Sequence, residues 1–369
     1  MSKMTIVREN LLQPLQSLLA IVERRHTNPI LSNVLMEIDG DLLVIKGTDL
    51  EVQIRTTTKP ETLDFSEPLV VSARKLHDIV RSLKENSLVI LEYSDRKLLI
   101  KSGKSRFNLL THNPNDYLGM GRGEEIKNPV TITQGKLKFM LEQVEYSVAQ
   151  QDVRFYLNGT FLSVGTGKMV TVATDAHRLA YCSQNIASNT EFIEVILPRR
   201  SVSELIKLLK VNEENVSFGL IQNQVVFNFS NIEFLSKVIE GKYPDYNRVI
   251  PTNHYRGFTI SRLVLLQSLQ RASILSNDKV KGVRFLINKG NLTIICNNGD
   301  HEEAHEEIEI DYSHDPIDIG FNITYLIDVL QHVDVEFLTC TFGDVGSSLL
   351  ITIPENEIEF KYVVMPMRI

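Results

Sequence analysis

A chain of 369 residues has room for two or three domains at roughly 150 residues each. With 43% hydrophobic and 23% charged residues, it has the composition of a folded globular protein and not of a disordered one. Its net charge of −7, taken whole, counts against a protein that grips nucleic acid. Cys182, Cys296 and Cys340 lie far apart, which excludes a disulfide framework and a zinc ribbon and fits a reducing compartment. No stretch approaches the roughly 20 apolar residues of a membrane span, and the first ten residues lack an apolar signal core, so the expectation is a cytoplasmic protein with no membrane partner.

In chain order, Thr5-Ile6 opens an apolar segment. Leu11, Leu12, Leu15, Leu18, Leu19 and Val22 then recur at helical spacing, and Arg24-Arg25 close that helix. A second helix is predicted on Leu76, Ile79, Val80 and Leu83, followed by alternating strands at Leu88–Leu91 and Lys97–Ile100. Gly119–Gly123 through Asn128-Pro129 reads as a linker. The pattern then restarts. Thr131-Ile132 lies 126 residues after Thr5-Ile6, and Thr259-Ile260 lies 128 residues further on. Helical stripes follow at Leu137, Met140, Leu141, Val144 and Val148, and at Leu265, Leu266, Leu269 and Ala272, with Thr133 and Ser261 in N-cap position. Second helices recur at Val202, Leu205, Ile206 and Leu209, and at Ile323, Leu326, Ile327 and Leu330. Strands recur at Val225–Asn228 and Leu349–Thr352. Thr48-Asp49-Leu50 has its echo in Thr174-Asp175-Ala176, again 126 residues on.

A period of this length means repeated structural units. Each unit reads as α+β, two helices packed on a largely antiparallel sheet. The three domains expected are 1–125, 126–252 and 253–369, with the second boundary in the turn-rich Pro251–Gly257 stretch.

The charge is unevenly placed. Residues 1–125 sum to zero, residues 126–250 to +1 and residues 251–369 to −8. Arg74, Lys75, Arg81 and Lys84 lie off the apolar stripe of their helix, and Arg200, Lys207 and Lys210 share a face of theirs. Such faces suit water or a polyanion. Lys97, Lys101, Lys104 and Arg106 accompany Phe107 and Leu109, whereas Glu302, Glu303, Glu306, Glu307 and Glu309 are preceded by Ile274-Leu275. Unlike, complementary ends can make a head-to-tail contact that closes into a ring or grows into a fibre.

Motifs of catalysis are weak. His301-Glu302-Glu303-Ala304-His305 matches H-E-x-x-H, which on a helix would bind zinc with Glu302 as base, so a zinc hydrolase is the alternative function. The alternation that follows it favours a strand. Gly165-Thr166-Gly167-Lys168 fails the phosphate-loop pattern, because Leu162 and Met169 stand where Gly and Ser/Thr are needed, and reads as a hairpin turn. His177 beside Asp175 has no nucleophile placed with it by any motif. The terminal Tyr362–Ile369 run is apolar and rich in methionine, which suits either a core strand or an adaptable groove wall.

Several segments together carry a resemblance: Pro29–Asn33, Gly47–Glu51, Ser102–Phe107, Gln151–Gly159, Ala173–Ala180, Tyr243-Pro244-Asp245-Tyr246 and Val363–Arg368. They closely resemble the bacterial sliding-clamp family, the beta subunits of DNA polymerase III, from about residue 4 onward. The resemblance implies three domains of clamp fold. Two chains would pair head to tail as a six-domain ring around double-stranded DNA, with helices inside and sheets outside. It implies a non-catalytic processivity factor without cofactor or metal. Its partners would be the polymerase III alpha subunit, the clamp loader, and other polymerases and repair proteins bearing short linear motifs. Carried over residue by residue, the DNA-binding positions are Arg25, Arg74, Gln151, Phe155, Tyr156, Arg199 and Arg200. The peptide-binding groove falls on Leu157, Thr174, His177, Arg178, Leu179, Pro244, Arg248, Val249, Asn322, Tyr325, Val363, Met365, Pro366, Met367 and Arg368. The dimer interface falls on Arg106, Phe107, Leu109, Ile274, Leu275, Glu302, Glu303, Glu306 and Glu307. Phe155 departs from a tyrosine usual in the family, Ala176 from a frequent glycine and Gly346 from a bulkier residue.

Overall fold

The computed structural model describes residues 2–22, 28–65, 67–121, 126–186, 192–277, 279–344, 346–354 and 358–368. Among the described residues six α-helices alternate with antiparallel strands: α1 (Arg8–Leu19), α2 (Ala73–Ser82), α3 (Gln134–Glu145), α4 (Arg199–Leu208), α5 (Arg262–Ser273) and α6 (Ile323–His332). They fall two to each third of the chain, where the repeated apolar stripes predict them.

Each helix is docked by the stripe that predicts it. Leu11, Leu15 and Leu18 of α1 are fully buried, as are Leu76 and Val80 of α2 and Leu265, Leu269 and Ala272 of α5. The helix starts follow one rule. For five helices the first N–H donates to a carbonyl just ahead of another strand: Arg8 to Ser87, Gln134 to Glu214, Arg199 to Asn158, Arg262 to Glu336 and Ile323 to Lys281. A backbone acceptor therefore satisfies an N–H that a helix leaves orphaned. Val7 and Ser261 accordingly sit at N-caps without a side-chain bond, although Ser261 is predicted to cap. Thr133 does cap, accepting from Lys136 N at 3.4 Å. The first helix stops at Leu19, short of Val22, because Ile21 N–H turns tightly onto Leu18 O. Arg24 and Arg25 lie outside the described residues.

The described chain divides into two compact units, Met1–Leu137 with Ser203–Val238 and Lys138–Val202 with Ile239–Ile369. The first holds a 13-stranded sheet. In it strand Val52–Thr58 of the first third pairs with Ile232–Lys237 of the middle third, Phe234 opposite Ile54. The second unit holds an eight-stranded sheet, in which Arg178–Asn185 of the middle third pairs with Ile358–Val364, Cys182 opposite Phe360. It also holds a four-stranded sheet ending on Glu303–Glu309. Phe218 stacks on Phe227, which meets Phe234 edge to face, in the core of the first unit, and Phe321 meets Phe285 edge to face and Phe342 at a tilt in that of the second. The Gly165–Lys168 segment is the expected hairpin turn, with Thr166 and Gly167 at positive φ.

Among the described residues several strands keep an open edge: the sheet-end strands Thr62–Asp64, Val130–Thr133, Ile193–Pro198, Arg256–Ser261 and Ile317–Asn322, and also Ser105–His112 and Glu303–Glu309. Ser105–His112 pairs along one side with Lys97–Ser102 and on the other meets Leu69–Ser72 only at Thr111 and His112. Glu303–Glu309 pairs only with Asn291–Asn297.

Candidate functional site

A cavity of about 310 Å³ opens within the second unit. Its position follows from a local device that the sequence carries twice. Thr174 Oγ1 accepts from Ala176 N and donates to Arg178 O, while Asp175 Oδ1 accepts from His177 N and Arg178 N. Thr48 and Asp49 make the same bonds to Leu50, Glu51 and Val52. Threonine and aspartate in this order bind their own backbone and hold a tight turn, with Leu50 and Ala176 both at φ +73°. In the second copy the turn delivers Arg178 and Leu179 to the cavity. Met365 N donates to His177 O at 2.8 Å and lays the terminal segment along it.

The cavity floor is aromatic and aliphatic. Phe161 stacks on Tyr243 at 4.9 Å between centroids, and Tyr246 lies 5.9 Å from both Phe161 and Tyr181. Tyr243 is buried, its hydroxyl donating to Val172 O, and burial raises its pKa. Of the groove residues expected from sequence, Leu157, Thr174, Arg178, Leu179, Pro244, Val249, Val363 and Met365 line the cavity. His177, Arg248, Asn322, Tyr325, Pro366, Met367 and Arg368 do not line it. Asn322 caps α6, Met367 N donates to Gly320 O, and Arg248 pairs with Asp245 at 3.0 Å. Arg154, Ala176, Tyr243 and Tyr246 line it without having been expected there. Their signal was the placement of Tyr243 and Tyr246 around Pro244, and of Arg154 and Ala176 inside motifs already noted.

Arg178 is the best-held charge of the site. Its Nη1 donates to Asp328 Oδ2 at 2.5 Å, its Nε to Asp175 Oδ2 at 3.1 Å and its Nη2 to Tyr146 O at 2.7 Å. The Tyr325 ring lies 4.3 Å from the guanidinium carbon. Burial works against the charge, but Tyr362, Asp328 and Asp175 outweigh it, and the pKa is raised. Arg154 grips Asp152 with two bonds, which pulls that carboxyl down to about 2.

The other expected positions are dispersed. Arg74 is exposed on α2 in the first unit. In the second unit Arg199 and Arg200 are half-buried in the first turn of α4, and Gln151 is exposed at φ +55°. Phe155 is exposed and meets Tyr156 edge to face. Tyr156, expected to face DNA, is also among the residues that line the cavity. Arg25 lies outside the described residues. Along the open edge of Ser105–His112, Arg106 is exposed, Phe107 half-buried and Leu109 buried. Near the other open edge Ile274 is 78% exposed and Leu275 half-buried. Glu302, Glu303 and Glu307 are exposed, while Glu306 is bound by Arg271.

The zinc-hydrolase alternative is overturned by geometry. His305 sits in strand Glu303–Glu309 and His301 in the turn before it at φ +62°, so the pair shares no helical face. Period-two burial, with Ile308 inward and Glu307 and Glu309 outward, favours the strand. Among the described residues no group of three or more His, Cys, Asp or Glu is placed to hold a metal. Burial pushes the thiols of Cys182 and Cys340 up to about 12 and that of Cys296 to about 11, far from reactive thiolates.

Three repeated domains of helices on antiparallel sheets, with a groove walled by the middle and last thirds, define a clamp-type scaffold. Residues 2–120 match the N-terminal domain of the DNA polymerase III beta subunit, 131–245 the central domain and 247–368 the C-terminal domain. The chain belongs to the DNA polymerase III beta subunit family, the beta sliding clamps. It is 40% identical to the beta sliding clamp of Pseudomonas aeruginosa, covering 99% of each chain, and 35% identical to that of Escherichia coli, covering 100% of each. The crystal structure of the Pseudomonas aeruginosa beta subunit superposes with a TM-score of 0.96 at 39% identity over 100% of both chains. A Bartonella birtlesii sliding clamp bound to griselimycin superposes at 0.93 with 30% identity, also over 100% of both.

Proposed function

We propose that this protein is a non-catalytic sliding clamp of the cytoplasm. Two copies close a ring around duplex DNA and tether polymerases and other replication and repair proteins through the groove. The observation that carries this reading is the repeat of its strand junctions. Val52–Thr58 and Arg178–Asn185 are equivalent strands, and each is continued by the last strand of the next third. Glu303–Glu309 is the third equivalent strand, and Ser105–His112 corresponds to Ile232–Lys237. Both keep an open edge, and open edges are templates for pairing. A second copy, head to tail, supplies each of these two edges with its partner and closes the ring.

The in-chain junctions supply a register for that seam. Gln53, Leu179 and Glu303 occupy the same place, opposite Thr48, Thr174 and Asn297 in their hairpins. Ile232 and Ser105 likewise both follow a two-residue turn. Leu235 lies opposite Gln53, so the equivalent Asn108 falls opposite Glu303 of the second copy. Phe107 then faces Ala304, Arg106 faces His305, and Lys104 falls beside Glu307. In these pairs exposed Asn108, Arg106 and Lys104 meet exposed Glu303, His305 and Glu307, half-buried Phe107 meets half-buried Ala304, and Lys104 meets Glu307 as an unlike charge.

Arg25, Arg74, Gln151, Phe155, Tyr156, Arg199 and Arg200 are the DNA-facing set. A few phosphate contacts without base readout allow sliding, whereas many would brake it. The groove set from Leu157 to Arg368 receives short Gln- and Leu/Phe-containing segments of the polymerase III alpha subunit, the clamp loader and other clients. The apolar floor supports apolar anchors there. Domain limits near 125 and 252 accompany this reading. The test is topological: protein loaded onto closed circular DNA stays bound, and it runs off when one cut makes the circle linear. Equal loss from both forms refutes the ring.

A further inference from the structure

Strand Ser2–Val7 opens the first third and its counterpart Arg256–Ser261 opens the last, with Thr5 matched by Thr259. The first is paired on both sides. Leu88–Ser94 lies along one edge and Thr62–Asp64 along the other, Met4 opposite Leu63. The second is paired on one side alone, with Phe337–Phe342. The difference lies in where the chain goes after the equivalent strands Val52–Thr58 and Glu303–Glu309. In the first third it returns at once: Glu61 N–H donates to Thr5 O, and the covering strand follows. In the last third a hairpin holds the segment instead. Ile310 N–H donates to Gly290 O, and Gly290 N–H donates to Tyr312 O. The edge of Arg256–Ser261 is left bare, and no lysine or proline within it guards against pairing.

That edge borders a cavity of about 620 Å³. Ile260, Val264, Ile308, Ile310 and Phe337 give it apolar walls, and Val264 and Phe337 are 45% and 46% exposed. Its charged lining residues are Glu309 and Asp311, both exposed. The arginines at either end of the strand are already engaged, Arg256 facing Asp315 and Arg262 facing Asp334, each at 3.8 Å. Bare backbone, apolar seats and negative charge therefore meet in one cleft.

We infer that this cleft docks an extended peptide segment of a partner protein, basic and apolar in alternation, which adds as a strand to Arg256–Ser261. Main-chain hydrogen bonds hold the segment, every second side chain enters the apolar cavity, and the lysines or arginines between them meet Glu309 and Asp311. The first third of the chain supplies the precedent, since Thr62–Asp64 occupies the equivalent edge in antiparallel sense. The pairing proposed for the ring seam runs from Glu303 to Glu307 and leaves Glu309 and Asp311 outside it. The cleft is also separate from the groove walled by the terminal segment.

The test titrates a short fluorescein-labelled peptide of alternating lysine and valine with the intact protein and reads fluorescence anisotropy. Saturable binding is expected, and a peptide with glutamate in place of lysine should bind at least about tenfold more weakly. Val264→Asp and Phe337→Asp, both at exposed positions, should weaken the lysine peptide by about tenfold, whereas Leu220→Asp, exposed in the first unit, should leave it unchanged. Glu309→Lys with Asp311→Lys should invert the choice between the two peptides, a result that a misfolded variant does not give. N-methylation of alternate peptide amides separates strand addition from charge alone: one phase should abolish binding and the other spare it. No binding of the lysine peptide, equal binding of both peptides, or indifference to the methylation phase overturns the inference. Binding that vanishes as the protein dimerises assigns the cleft to a second copy and overturns it as well. The closed-circle test of the ring is untouched by any of these outcomes.

Discussion

Replacing Ile274 by alanine separates the stability of the ring from the stability of the chain. Ile274 follows the last turn of α5 and is 78% exposed in the single chain, an unusual place for a large aliphatic side chain. Full burial of an isoleucine contributes about 1.5–3 kcal/mol. With three quarters of its surface still in water, on the order of 1–2 kcal/mol remains to be gained at each seam. A ring with two seams counts it twice, so Ile274→Ala is expected to weaken the dimer by about 2–4 kcal/mol, roughly 30-fold to 1,000-fold in Kd. The chain itself should hardly notice, since substitutions at exposed positions stay within about 0.5 kcal/mol. Sedimentation velocity across a dilution series reads the Kd, and chemical denaturation of the dilute monomer reads the fold. An unchanged Kd, or a monomer that melts early, would refute the reasoning.

Four further outcomes follow from the same geometry. Lys104→Glu should loosen the dimer, and adding Glu307→Lys should recover most of the loss. Failure of the double swap to recover would break the proposed register. Removing the chain from Met365 onward deletes a groove wall but leaves the buried pairing of Val363 and Val364 with Leu179 and Arg178, so client peptides should no longer bind while the dimer persists by light scattering. Ala176 holds φ +73°, a region strained for a residue with a Cβ. Ala176→Gly relieves that strain, about 1–2 kcal/mol, at the cost of about 0.4–1 kcal/mol of added unfolded-state entropy, so the unfolding free energy should rise by up to about 1 kcal/mol, and a lower value would contradict the strain. Asp152 is depressed from 3.8 to about 2 by the hydrogen bonds from Arg154, so this pair is intact above pH 4 and is lost only as pH falls through the lower value. Carboxyl chemical shifts should titrate near 2 in wild type and return towards 3.8 in Arg154→Ala.

Much of the architecture is legible in the sequence because it is set by neighbours along the chain. The apolar stripes specify which face of each helix is buried, and those faces are buried. The Thr-Asp turn closes on its own backbone within four residues, so Thr174-Asp175 announces the same bend as Thr48-Asp49. H-E-x-x-H shows the limit of such reading, since the match carries chemistry only on a helix and period-two burial decided for a strand.

The candidate site is legible in part, for a physical reason. The groove segments stand out as motifs, but which of them share a cavity depends on pairing between strands far apart in sequence, such as Leu179 opposite Val363. Hydrophobic patterning says which face of a strand is buried and not which distant strand it meets. By itself the sequence determined the threefold α+β repeat, the local turns and the uneven charge. The tertiary structure alone decided which edges stay open, that Tyr243 and Tyr246 floor the cavity, and that the charge of Arg178 is met by Asp328, 150 residues away. Long-range contacts of this kind are selected by the packing of the whole unit, and no local signal encodes them.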